Sequence, residues 1–174
     1  DPAGLVDEFY DTRNSAADSR RYFLNAQTSS SDSWIDAHFW DGCARPGLGL
    51  RPDDMVCLGL DGSVGGPAAD ATSLVAVRVS DGHCELLECW EKPEGPAGED
   101  WQVDRTAVDA AVEAAMEKFE VVGFFADPAH WQDTLADYHN RYAHLMSVKA
   151  TEKQPLHWWT NRPRPMVAAL ERLH

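Results

Sequence analysis

Long apolar runs are missing from this 174-residue chain. None approaches the roughly 18 consecutive apolar residues of a membrane-spanning helix, which excludes a helical membrane protein. No CxxC occurs among Cys43, Cys57, Cys84 and Cys89. Their spacing, with nearby histidines, fits no structural zinc pattern, so they read as reduced, intracellular thiols, three of them in apolar runs. GLDGSVGG contains no lysine, so no nucleotide-binding P-loop is present. There is no GxSxG either, and Ser63 has no neighbouring histidine to activate it. Positive charge is scarce: 15 Lys and Arg stand against 29 Asp and Glu, a net of -14. Phosphate contacts need Lys and Arg, so that balance argues against a general nucleic-acid binder. The opening DPAGLVDEFYDTRN is acidic and polar and shows no signal peptide. It lacks an initiator methionine, and PMVAALERLH closes the chain as an unfinished helix; both predict a piece of a longer protein.

What is present is the composition of a globular domain, 44% apolar and 25% charged. The charge is uneven. Residues 1–140 carry a net of -18, and residues 141–174 a net of +4 from Arg141, Lys149, Lys153, Arg162, Arg164 and Arg172 against Glu152 and Glu171. An acidic body with a basic end is usually a solubilising surface with a basic tail. The sharper reading has the basic end facing a phosphate backbone while body carboxylates hold metal.

Residues 5–26 have helical spacing, and a second short helix carries Trp34, Ile35, Phe39 and Trp40 behind Ser33 or Asp32 as cap. CARPGLGLRPDD (43–54) is a Pro/Gly-rich connection. The expected organisation is a helical lead-in and linker over 1–50 and a compact domain over 51–174. Strands are expected at 55–61, 71–80 and 83–91, the last two joined by the hairpin signal Asp81-Gly82. A helix capped by Asp104 follows at 104–119, then a buried strand at 121–127, a helix opened by Pro128 and running to about Tyr142, a strand at 144–150 and a final helix from 165. Three antiparallel strands followed by alternating helix and strand predict a mixed five-stranded sheet flanked by helices, the ribonuclease H-like arrangement.

Asp61 closes the first strand and Asp127 the fourth, 66 residues later. In that order of elements the two strands are parallel neighbours, and their carboxyl ends form the edge where ligands bind in open α/β sheets. Two carboxylates there suit a pair of Mg²⁺ or Mn²⁺ ions, hard cations that can activate water and neutralise a leaving 3′-oxygen. Asp61 would bridge the ions and Asp127 hold one. Asp70 could join them, and Gly62 and Gly65–Gly66 would let a phosphate approach the backbone. The bland alternative is that Asp127 caps a helix and Asp61-Gly62 is an ordinary turn. For Asp70 a strand-entry turn is favoured, and Asp81-Gly82 reads as a hairpin turn only. His83, His130, His139 and His144 do not cluster at metal spacing. His157-Trp158-Trp159 beside Arg162 and Arg164, with Lys153 upstream, could grip nucleic acid, although such aromatics more often anchor a helix.

RRYFLNAQ (20–27), WIDAHFW (34–40), LGLDGSVGGPAADATSLVAV (58–77), WQVDRTAVDAAV (101–112) and FFADPAHWQDTL (124–135) together resemble the large terminase subunit of tailed phages, of the actinobacteriophage type. That resemblance covers most of the chain and implies the C-terminal, ribonuclease H-like nuclease of a DNA-packaging motor. It implies cutting of concatemeric double-stranded DNA with two Mg²⁺ or Mn²⁺, and it matches Asp61 and Asp127 to the first two metal acids. It also implies as partners the ATPase region of the same protein, whose end would be residues 1–27, the small terminase subunit and the portal protein. The setting would be the host cytoplasm, with neither membrane nor secretion. The family's third acid lies further beyond Asp127 than this chain extends, so the isolated piece is expected to bind metal weakly and its activity alone is open. Two other readings stand beside it: another ribonuclease H-like enzyme (transposase, integrase or resolvase), and an inactive domain that only docks.

Overall fold

A computed structural model of the chain describes residues 37–63, 65 and 69–173. The chain divides after Leu48 into two compact units. In the first, the described part is α1 (Ala37–Gly42) and the turn that follows. The helix expected at 5–26, the cap at Asp32 or Ser33, Trp34, Ile35 and Gly66 lie outside the described residues.

The second unit, Gly49–His174, is a mixed α/β structure. Its elements are β1 (Met55–Asp61), β2 (Thr72–Arg78), β3 (Cys84–Trp90), α2 (Arg105–Lys118), β4 (Glu120–Ala126), α3 (Gln132–Tyr142) and α4 (Pro163–Leu170). They form an open four-stranded sheet in the order β3-β2-β1-β4. The pairs β1–β2 and β2–β3 are antiparallel, and β1–β4 is parallel. Period-two alternation puts Val56, Leu58 and Leu60 of β1 in register with Arg78, Ala76 and Leu74 of β2 on one face. Val108, Val112 and Ala115, a helical stripe on α2, and Leu135 and Tyr138 on α3 join the apolar ones among them and Phe124 in one buried cluster. Asp104 caps α2 as expected, accepting from the amides of Thr106 at 2.9 Å and Ala107 at 3.3 Å. The opposite face is thinly covered: Trp158 stands edge-on to Phe125, 6.1 Å between ring centres, and donates Nε1 to Met166 Sδ of α4.

The structure departs from the expected five strands. Where a fifth strand would lie beside β4 there are two single parallel bridges, Gly123 with Val148 and Ala126 with His157. Three residues separate the partners on β4 and nine separate those on the outer segment. The excess loops out as the turn around Thr151–Gln154, closed by Ala150 N–H donating to Pro155 O at 2.8 Å. A continuous ladder is therefore impossible there, and Ala143–Leu145 coils into a 3-10 turn instead. The helix after β4 also starts later than Pro128. Trp131 N–H closes a turn onto Pro128 O at 3.1 Å and His130 takes φ +62°, a left-handed conformation that cannot continue a helix, so α3 begins at Gln132.

Asp81 does more than turn the hairpin. Gly82 takes φ +72°, as such a turn needs, while the Asp81 carboxylate receives two bonds from Arg78, at 2.9 and 2.8 Å, and one from the His83 amide. Arg78, only 9% exposed, also grips Asp54 at 2.9 Å and so ties the β2–β3 turn to the entry of β1. The four cysteines are free; Cys84 and Cys89 are exposed on the edge strand β3 rather than buried as small apolar groups.

Candidate functional site

Leu60 of β1 and Ala126 of β4 are paired across the parallel ladder, and the next residue on each strand is an aspartate. The Asp127 amide donates to Leu60 O at 3.3 Å, so the two strand ends remain locked together where the acids project. Adjacent strands lie about 4.8 Å apart, which suits carboxylates that share ions spaced about 3.5–4 Å. Tertiary structure therefore joins two aspartates that are 66 residues apart in sequence.

The two differ in surroundings. Asp61 is pushed above its ordinary pKa by desolvation, then by the charges of Asp127 and Asp70, against one opposing bond from the Gly62 amide. No lysine or arginine pairs with it among the described residues. On Asp127 burial acts upward, but it is outweighed by the Thr160 hydroxyl and the amides of Ala129 and Thr160, and the net shift is downward. Oδ1 accepts from Ala129 N at 2.9 Å, an Asx turn, and Oδ2 accepts from Thr160 N at 3.1 Å and from Thr160 Oγ1. Asp127 thus starts a turn and is not the helix cap of the bland alternative, a place taken by Trp131.

The glycines after β1 do not leave open space. A side chain on Gly62 would meet the Trp131 indole at 2.3 to 2.8 Å. Gly65, at φ +88°, is closed by Trp101 O and Gln102. The room expected for a phosphate is filled by the protein itself. Trp131 is 1% exposed and donates Nε1 to Ser63 O at 3.2 Å, while Arg105 lies 4.5 Å from its ring centre and bonds His130 O. On the other side, the fully buried Thr72 accepts the Ser63 amide at 2.9 Å. These contacts hold the strand-to-loop corner and so orient Asp61. In the triplet Asp70-Ala71-Thr72 it is the threonine that anchors the corner; Asp70 is exposed and reaches Asp61 through its charge. A groove of about 640 Å³ lined by Ala69, Lys92, Pro93, Glu94, Gly98 and Glu99 adjoins this segment but includes neither Asp61 nor Asp127.

Among the described residues no group of three His, Cys, Asp or Glu converges as a metal cage. Of the basic candidates, Arg162 stacks over Trp159 at 5.4 Å in the turn that carries Thr160, the residue bonded to Asp127. Arg164 is exposed on α4, and Lys153 lies in the exposed Thr151–Gln154 turn without a bond to either acid. Arg78, Thr72 and Thr160 had no signal in the sequence strong enough to single them out. Only the Arg-x-x-Asp spacing before the hairpin glycine hinted at the first.

Relatives of the chain are phage proteins. It is 34% identical over 163 residues to the Gene 13 protein of Mycobacterium phage D29. It is 31% identical over 163 residues to the Gene 13 protein of Mycobacterium phage L5. Each alignment covers 87% of this chain and 26% of the relative, so the chain spans about a quarter of the length of the curated relatives it matches. No protein-family model and no solved structure matches the chain. Among the described residues no helix is long and apolar enough to cross a membrane.

Proposed function

We propose that this chain is part of a ribonuclease H-like, metal-dependent endonuclease of the large terminase type, which cuts double-stranded DNA for a phage packaging motor. The observation that carries the reading is the acid pair, Asp61 and Asp127, one residue beyond a shared rung of the parallel ladder. The strand order, with a fifth position beside β4 marked by the Val148 and His157 bridges, supports the same arrangement. So does the phage origin of the relatives.

The donor set fits a divalent ion. Asp61 offers hard oxygen without a guanidinium or ammonium partner among the described residues, in a place where two other carboxylates already oppose its charge. Asp61 and Asp127 would hold Mg²⁺ or Mn²⁺, with Asp70 near enough to act on the first. Bound ions would supply an activated water and a counter-charge for the leaving oxygen. The chain's own contribution is to aim Asp61, through the Ser63–Thr72–Trp131 corner, and to keep Asp127 ionised and aimed, through Thr160. Arg162 and Arg164 would meet the DNA backbone. The ATPase region of the same protein, the small terminase subunit and the portal are the partners this reading brings.

A docking module is the second reading, favoured by the net charge of -14 and by the lack of a third converging acid among the described residues. Supercoiled plasmid with Mn²⁺ separates the two. Nicking by the wild type, lost in Asp61→Ala, is expected for the nuclease. A chain extended to the length of its relatives that still cuts nothing leaves the docking module.

A further inference from the structure

Thr160 reaches Asp127 from outside the β1–β4 pair. Its segment is held beside β4 by two backbone bonds of 2.8 Å, Ala126 N–H to Leu156 O and Trp158 N–H to Ala126 O. Leu156 is fully buried below it. The turn that carries Thr160 is closed by the Arg162 amide on Trp159 O at 3.3 Å. Neither the amide nor the hydroxyl of Thr160 is needed for that turn, and both go to the same oxygen of Asp127.

A carboxylate presents about four lone-pair sites. Thr160 takes two on Oδ2, and Ala129 takes one on Oδ1. One site is left, and it is on Oδ1. We propose that Thr160 is a positioning residue of the acid pair: by filling Oδ2 it makes Asp127 a one-oxygen ligand, through Oδ1, for a divalent ion shared with Asp61. This inference rests on the reading of the pair as a cation site. It also gives the Trp159–Arg162 turn a fixed register to that ion, because the residue between them is bonded to the ligand.

The test is calorimetric titration of the chain with MnCl₂, with thermal melting in EDTA run on every variant. Wild type is expected to bind and Asp61→Asn to lose binding. Thr160→Ser, which keeps the hydroxyl, is expected to bind as wild type does. Thr160→Val, which keeps shape and amide, is expected to bind about tenfold or more weakly, as loss of a ligand's supporting bond typically does. Thr160→Val binding as tightly as wild type, with Asp61→Asn still not binding, overturns the role of Thr160 and leaves the cation site standing. Loss in a folded Thr160→Ser overturns it equally, since the hydroxyl is then not what matters. Wild type that binds no more Mn²⁺ than Asp61→Asn removes the site itself and this inference with it.

Discussion

Two Asp-Gly pairs sit at opposite ends of the same sheet. At Asp81-Gly82 the glycine turns the chain with φ +72° and the aspartate is neutralised by a buried arginine, which also holds Asp54. At Asp61-Gly62 the glycine is flat against a buried tryptophan, and the aspartate faces two other acids with no arginine among the described residues. The charge states diverge accordingly. Asp81 is drawn down to about 2 by the Arg78 guanidinium and then the His83 amide, and Asp54 is lowered by the Arg51 amide and Arg78. Asp61 moves the other way. One end of the sheet spends its carboxylates on holding strands together. At the other, Asp127 is held by Ala129 and Thr160, while Asp61 faces like charges and has no cationic partner among the described residues.

The contrast can be broken most severely at Gly62. Gly62→Ala forces a methyl into the Trp131 indole, which is enclosed and cannot swing away. Overpacking of this kind costs about 1–3 kcal/mol, and chemical denaturation should show it together with a changed tryptophan fluorescence. An unchanged midpoint would mean that the corner is looser than its contacts say.

Arg78→Met tests the opposite end. It leaves Asp54 and Asp81 without their cation, so the melting temperature at pH 7 should fall. The sign follows from the lowered pKa values: the carboxylates stabilise the fold above their ordinary value of 3.8, and this is lost as pH drops through the folded value, about 2 for Asp81. The gap between wild type and variant should therefore be full at neutral pH and close between pH 3.8 and 2. A gap that keeps its neutral-pH size at pH 2 would point to packing rather than charge.

The smallest expected effect is at Asp61. Its raised pKa means that stability is lost as pH climbs from 3.8 through the folded value, so an uncharged side chain should be tolerated better at pH 7. Asp61→Asn should stabilise the metal-free chain by less than about 1 kcal/mol, because the group is partly screened by water. Thermal melts at pH 7 and below pH 3.8 check this; the gain should appear only in the first. Stabilisation at one end and destabilisation at the other, from removing a charge in each case, is the pattern expected of a functional and a structural carboxylate.

Much of the sheet was legible beforehand because its signals are local. β1 has the bounds its sequence predicts, since MVCLGLD is a short apolar run that ends at an acid. Asp104 and the stripe on α2 follow from capping and a 3.6-residue period. The fifth strand was not legible, because 144–150 has strand-like composition and only its pairing with β4, one bridge deep, shows that the ladder fails. His130 hid the true start of α3, since nothing in Pro128-Ala129-His130 announces a left-handed residue at the third place.

By itself, then, the amino-acid order settled the first four strands and the helix between the third and fourth, the hairpin turn, the cap of α2 and the acids at two strand ends. These depend on neighbours within a few positions, where period, turn chemistry and capping act. Only the folded chain decided which face is packed, that Trp131 and Trp101 fill the space beside the glycines, that Arg78 belongs to Asp54 and Asp81, and that Thr160 closes on Asp127. Apart from Arg78–Asp81, those contacts join residues at least 24 positions apart, such as Arg78–Asp54 and Trp131–Ser63. Such partners are chosen by three-dimensional proximity and by the need to satisfy buried polar groups, neither of which leaves a mark on local sequence.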